Sequence, residues 1–339
     1  MRRHDYAALD GLRGLAAFAV LLFHSCGTIE VGVGPPMTFL AVDFFFCLSG
    51  FVLAHAYGER LATGALSHAA FLKLRVQRLH PIIVLGVLLG LAAELAIGRI
   101  SPGEAWANVP ATVLLIPLGF AFRQAAYPLD NPLWSLAFEF SGGVLLGLLA
   151  RAHTAVWIAL AALGACGIAM LIAMGAGFDG LGFSSPKMFI GGFARLLLPF
   201  ASGVALYRLQ AARPATISAA WSFAGLGLLL FVYDFEGMVG TLVAVAILIP
   251  GIVALGANAR PGRFDGVMRS AGRLSYPLYA LHLPIVDTIA TFTAGSAPGS
   301  ASRWMLLGLA LGLSVIVAVL AERWWERPGR AWLARRLPA

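Results

Sequence analysis

An arginine and a histidine stand inside the first apolar run of the chain, LDGLRGLAAFAVLLFH, as Arg13 and His24. A guanidinium is permanently charged and forks toward phosphate, carboxylate or carbonyl oxygens, whereas an imidazole can take or give a proton near neutral pH. The two are separated by about three helical turns, so a helix sets both on nearly one face, roughly 16 Å apart. Ionisable side chains at membrane depth are costly and normally face a bundle interior, a partner or a wet cavity. One reading of the pair is therefore a lined site. The other is that Arg13 snorkels to the headgroups on one side while His24 sits in the opposite interface.

Further polar residues need the same account. Asp43, in VDFFFCLSGF, opens the second apolar run near the depth where the first one ends. A carboxylate beside His24 could hold its tautomer and raise its basicity; the competing reading is an interfacial residue or a local cap. Glu139 follows Pro132 in PLWSLAFEFSG, Arg195 sits within FIGGFARLLLPF, and His282 within RLSYPLYALHLP. Their depths are similar to that of His24, so one cavity receiving all four is the economical expectation. A structural ion pair between Glu139 and Arg195 and a satisfied core histidine at His282 are the alternatives. In FLKLRVQRLHP, Lys73, Arg75 and Arg78 precede a helix whose start is marked by Pro81. Such a cluster could hold the phosphates of a cytoplasmic cofactor or anchor the chain to anionic lipid, the latter suiting Lys73 better.

Composition says what must position these groups. The 339 residues are 60% hydrophobic and 12% charged, with mean hydropathy +0.85, outside the range of a soluble domain. The net charge of +8 falls in short segments between apolar runs, where it sets membrane orientation, and nucleic acid is rejected as a partner. Cys26, Cys47 and Cys166 have no metal-ligand spacing and read as packing residues. No Walker or dinucleotide loop, GxSxG elbow or HExxH helix is present. No cleavage site follows the first apolar run, which is expected to be retained.

Apolar segments fall at about 7–26, 38–58, 79–98, 107–122, 132–150, 154–176, 188–208, 215–233, 236–256, 272–293 and 303–322. A crossing helix needs roughly 20 residues. The segment 107–122 is short and broken by Pro110 and Pro117, which suits a re-entrant or interfacial piece. The rest predict an all-α polytopic membrane protein of about ten transmembrane helices, one domain over 1–339, with both termini cytoplasmic. Most of the 24 Lys and Arg, including Arg2, Arg3 and Arg213, then lie inside, Arg99, Arg123, Lys187 and Arg303 outside, and Arg13 and Arg195 at membrane depth.

Taken together, the motifs resemble those of the acyltransferase 3 family of integral membrane acyltransferases. The family's Arg, ten residues and His match Arg13 and His24; VDFFFCLSGF, RVQRLHP, WSLAFE with Glu139, LSYPLYALHLP and ERPGR are similar to its later segments, in order. The resemblance implies transfer of an acyl group, usually acetyl, from cytoplasmic acyl-CoA to a hydroxyl of an envelope glycan, lipid-linked sugar or small glycoside. It implies a multi-pass protein of the cell (inner) membrane, with acetyl-CoA or another acyl-CoA as donor substrate, no permanently bound cofactor or metal, and membrane lipid and envelope-biosynthesis proteins as surroundings. His24 would deprotonate the acceptor or carry the acyl group, Arg13 would contact donor or oxyanion, and Asp43 and Glu139 would support them. Arg75, Arg78, Arg195, Ser275, Tyr276 and His282 would hold substrate or donor. The family's fused members carry an extracytoplasmic hydrolase-like domain, of which no counterpart is expected here. A transporter with an intramembrane Arg/His/Glu pathway is the rival reading, and would show interrupted segments in two corresponding halves. A passive scaffold gives no reason for Arg13 and His24 to share a face.

Overall fold

The computed structural model describes residues 6–210, 216–232, 237–260 and 262–338, and among these every regular element is helical. Arg2, Arg3 and Arg213 of the charge tally lie outside the described residues. In chain order the helices are α1 (Ala7–Ile29), α2 (Leu40–Ala62), α3 (His68–Ile97), α4 (Pro102–Val113), α5 (Leu133–Leu148), α6 (Thr154–Ala173), α7 (Pro186–Gln210) and α8 (Ala219–Phe231). There follow α9 (Gly237–Val243), which runs through a π turn into α10 (Ile249–Ala257), then α11 (Asp265–Ala290) and α12 (Ala301–Ala321). A second π turn leads from α12 into α13 (Arg327–Arg336).

Among the described residues, seven stretches are long and apolar enough to cross a membrane: α1, α2, α3, α6, α7, the α9–α10 rod and the α12–α13 rod. Helices α5 and α8 are apolar but shorter. At 26 residues α11 has the length of a crossing helix, and Asp265, Arg269, Arg273 and Asp287 dilute its apolar content.

The weak segment 107–122 does not form a spanning helix. Ser101 and Glu104 form a reciprocal capping box with Pro102 in the first turn, which starts α4 firmly. It ends after 12 residues, about 18 Å against a hydrocarbon core of about 30 Å. Leu115 then turns to φ 58°, and a 3₁₀ turn, Leu118–Phe122, follows Pro117. The expected start of α3 at Pro81 is corrected: Ser67 caps a helix that begins at His68 and passes straight through Pro81. Arg75 and Arg78 therefore lie within a continuous helix rather than in a turn before one.

Contacts between helices fix their relative directions. Helix α11 runs parallel to α1, with Arg13 meeting Ser275 and His24 meeting His282. It also runs parallel to α3, with the Tyr276 hydroxyl on the Leu79 carbonyl and Gly86 against Ala280. Helix α5 opposes α3, since Glu139 meets Arg75 and Gly147 meets His68. Helix α2 runs with α5, Phe46 beside Trp134 and Ser49 beside Glu139, and with α7, Asp43 beside Arg195. The starts of α1, α3 and α11 and the ends of α2, α5 and α7 thus share one side, where Arg60, Lys73, Arg75, Arg78, Arg151 and Arg208 cluster. Arg99, Arg123 and Lys187 lie toward the other, as does Arg303, bonded to Ile29 and Glu30 at the end of α1.

Small residues bring the backbones close enough for these contacts. A Cβ on Gly14 would stand 2.6 Å from the Ala271 Cβ, and one on Gly272 2.6 Å from the Asp10 Cβ. On the opposite flank, side chains at Gly50 or Gly203 would overlap the carbonyls of Phe200 and Cys47. Such small-residue seams are how helices pack when lipid supplies no hydrophobic drive between them.

Candidate active site

Arg13 is held across the α1–α11 seam. Its Nε donates to Ser275 Oγ (2.9 Å), its Nη2 donates to the Gly272 carbonyl (2.7 Å), and Asp10 lies 3.2 Å away. Ser275 Oγ donates its own hydrogen bond to the Gly272 carbonyl (2.7 Å), so the guanidinium is locked by two groups of one helical turn. The free edge of Arg13 faces a cavity of about 550 Å³ on the arginine-rich side of the bundle.

Arg75, Arg78, Glu139 and Tyr276 line the same cavity. Arg75 Nη2 donates to Glu139 Oε1, which also accepts from Ser49 Oγ at 3.3 Å. Arg78 lies over the Tyr276 ring, 5.4 Å from its centroid, and pairs with Glu326. A permanently charged fork at each of Arg13, Arg75 and Arg78 suits an elongated, multiply charged anion.

The deep end of the cavity is closed by Phe45, Ser135 and Tyr279. The hydroxyls of Ser135 and Tyr279 are 2.7 Å apart, and Phe45 packs edge-on to the Tyr279 ring. Directly behind this floor, one helical turn further along α11, is His282, its ring centroid 6.1 Å from that of Tyr279.

His24 Nδ1 and His282 Nε2 are 2.8 Å apart, with the rings nearly parallel. His282 is fully buried, and its Nδ1 faces the Tyr279 carbonyl (2.7 Å) and the Leu278 carbonyl (3.2 Å). Carbonyls only accept, so Nδ1 of His282 carries the hydrogen. In the neutral pair His282 Nε2 is then the acceptor, His24 Nδ1 the donor, and His24 Nε2 a free lone pair. His24 itself is partly exposed. The arrangement presents a base of fixed tautomer beyond the floor of a cationic cavity.

The structure divides the residues singled out from sequence into three places. Arg13, Arg75, Arg78, Glu139, Ser275 and Tyr276 meet around the cavity. His24 and His282 form a pair behind its floor, so Arg13 and His24 share a helix face but not one open chamber. Asp43 and Arg195 are elsewhere, and the expected Asp43–His24 contact is corrected. Arg195 Nε and Nη2 donate to the two Asp43 oxygens at 3.2 and 2.9 Å, both side chains being buried. Arg195 also donates to the carbonyls of Phe39, Phe178 and Leu181. This cluster ties α2 and α7 to the loop before α7 and belongs to the scaffold. The alternative Glu139–Arg195 pair does not form, each having another partner.

Sequence reasoning missed Ser135 and Tyr279, although both stand in segments already quoted. Tyr279 lies three residues before His282, on its helix face. It also missed Arg330, which reaches the cavity from α13.

The family model for the acyltransferase 3 family, described as an acyltransferase domain, matches residues 6–323. A curated relative, "Protein 2 in picA locus" of Rhizobium radiobacter, is 36% identical over 148 residues, covering 40% of this chain and 76% of that protein. No solved structure matches the chain.

Proposed function

Because this chain belongs to the acyltransferase 3 family, we propose that it transfers an acyl group, in the first instance acetyl, from acyl-CoA to a hydroxyl of an envelope glycan, lipid-linked sugar or small glycoside. The observation that carries this reading is the placement of the His24–His282 pair directly behind the floor of a cavity rimmed by Arg13, Arg75 and Arg78.

The bundle crosses the inner membrane ten times, α1, α2, α3 and α5 to α8 each crossing once, then the α9–α10 rod, α11 and α12. Both termini are cytoplasmic, because the arginine-rich side is then the inner side. The donor enters there. Its phosphates meet the arginines at the rim and its thioester reaches the floor at Ser135 and Tyr279. The acceptor comes from the other side, where the His24 ring is partly exposed.

Transfer itself is a displacement at the thioester carbonyl. The acceptor oxygen attacks the carbonyl carbon as His24 Nε2 takes its proton, the carbon–sulfur bond breaks, and the proton passes to the departing thiolate. The roughly 16 Å between Arg13 and His24 along α1 makes Arg13 a donor-binding group rather than an oxyanion contact. The hydroxyls of Ser135 and Tyr279 are the donors nearest to the point where negative charge develops. The Tyr279 ring must swing aside for acyl carbon and His24 to meet.

The test uses the purified protein in lipid nanodiscs with radiolabelled acetyl-CoA and a panel of envelope glycans. Label appearing in a glycan with the wild type and absent with His24→Ala supports the reading. Equal rates in the two remove His24 from the chemistry, and thioester that stays intact with every acceptor removes the donor.

A further inference from the structure

The last helix, α13, is part of the cavity wall, through Arg330, Ala331 and Ala334. The residues flanking it are fastened to α3 at three points. Lys73 Nζ donates to the Pro338 carbonyl (3.0 Å), Gln77 Nε2 to the Leu337 carbonyl (2.7 Å), and Trp325 Nε1 to the Pro81 carbonyl (2.7 Å). A π turn over Glu322–Glu326 precedes α13, and such turns shift the register of the side chains that follow. Here the shift coincides with a buried Glu326, 2% exposed, beneath the cavity residues Arg78 and Arg330.

Glu326 lies between two guanidinium groups from different helices. Its Oε1 accepts from Arg78 Nη1 and stands 3.6 Å from Arg330 Nη1, while its Oε2 has no hydrogen-bond partner among the described residues. Arg330 keeps half of its side chain exposed at the rim. Two forked cations converging on one anionic oxygen form the geometry that recognises phosphate, which brings more charge and more acceptor oxygens than a carboxylate. Helix α13 begins after residue 323, where the family match ends, and Arg330 closes the ERPGR segment.

We propose that Arg330, together with Arg78, is a phosphate-binding site for the acyl donor, with Glu326 holding the two guanidinium groups at the rim until a phosphate takes their free N–H groups. The proposal rests on the acyl-CoA reading above and assigns α13 as one wall of the donor site. Helix α13 is thus a binding element for the donor rather than a trailing segment on the membrane surface.

Initial rates measured with two thioesters test it: acetyl-CoA, and S-acetylpantetheine, which has the same arm and no phosphate. Arg330→Gln is expected to raise the KM for acetyl-CoA roughly tenfold or more, the size of a lost charge-assisted contact. Its kcat, and its KM for S-acetylpantetheine, should stay at the wild-type values, which also shows the variant is folded. Arg330→Lys should recover part of the loss, and added salt should narrow the gap between wild type and Arg330→Gln. An Arg330→Gln enzyme that uses acetyl-CoA with wild-type KM overturns the assignment. So does a KM increase that vanishes when anionic lipid is replaced by zwitterionic lipid, since Arg330 would then serve a headgroup phosphate. A wild type that turns over neither thioester brings down the acyl-CoA reading, and this site with it.

Discussion

The Nε2 of His282 is 2.8 Å from Nδ1 of His24, and the far nitrogen of His282 is committed to backbone carbonyls of its own helix. The second imidazole therefore does for His24 what a carboxylate does elsewhere: it selects the tautomer and leaves Nε2 bare. It does so without placing a charge at membrane depth, where an ionised partner would itself need neutralising. His282→Phe is expected to lower kcat by about a hundredfold, the lower end of what a positioned base contributes. The KM for the donor should hardly move, because His282 does not line the cavity. His282→Gln, whose amide oxygen can accept from His24 Nδ1, should recover part of the rate. Rates are taken per folded molecule, and a His282→Phe enzyme with wild-type kcat would end the positioning role.

The Asp43–Arg195 pair calls for the opposite result. Both side chains are buried, at 0% and 1% exposure. Removing one partner strands the other's charge, which costs about 3–5 kcal/mol. Asp43→Ala should therefore reduce the folded yield and thermal stability sharply. The enzyme that does fold should turn over normally, since neither residue lines the cavity. Asp43→Leu combined with Arg195→Met, which takes away both charges, should be less damaging than Asp43→Leu alone. Thermal unfolding in nanodiscs reads the first effect and turnover the second. A folded Asp43→Ala enzyme without activity would return Asp43 to the chemistry.

These two pairs show what the sequence made legible and what it withheld. Helical periodicity put Arg13 and His24 on one face, and both do face α11. Relative height was also readable: His24 and His282, expected at similar levels, meet. Azimuth was not. Which face of α2 meets which neighbour depends on how the whole bundle is wound, so Asp43, at the right depth for His24, turns to Arg195 on α7. The same gap hid the floor. Ser135 and Tyr279 are unremarkable in sequence, and only the crossing of α5 with α11 makes them a closed pair between cavity and base. Arg330 was hidden differently: it closes the ERPGR segment that carries part of the family resemblance, yet as one of many basic residues in a C-terminal stretch its own charge was read only as topology.

The direction of the bundle can be read with reporters. Parallel packing of α1, α3 and α11 places the loop holding Ser184 opposite the loop holding Gly262, both residues being exposed. A cysteine at Ser184 should react with an impermeant thiol reagent added to intact cells. A cysteine at Gly262 should react only after the membrane is opened. The reverse pattern would invert the bundle and put the arginine-rich cavity outside, away from any cytoplasmic donor. Reaction of both in intact cells would break the alternation of crossings between them.

Asp130, in the connection before α5, is 1% exposed, and neither of its carboxyl oxygens has a hydrogen-bond partner among the described residues. It lies against Gly86 of α3, where the Ala280 carbonyl of α11 also approaches. Burial raises its pKa well above the ordinary carboxylate range, and nearby Asp287 pushes the same way. The folded chain therefore keeps this proton at pH values where the unfolded chain, with a pKa of about 4, has released it. By linkage, stability from this group is greatest below pH of about 4 and falls as the pH rises above it, until the folded-state pKa is passed. Asn has the same shape without the ionisation. Asp130→Asn should thus raise the unfolding temperature at pH 7, and the difference from wild type should shrink as the pH is lowered toward 4. A lower unfolding temperature for Asp130→Asn at pH 7 would mean that the carboxylate is ionised in the folded chain and held by a cation, and the protonated assignment would fall.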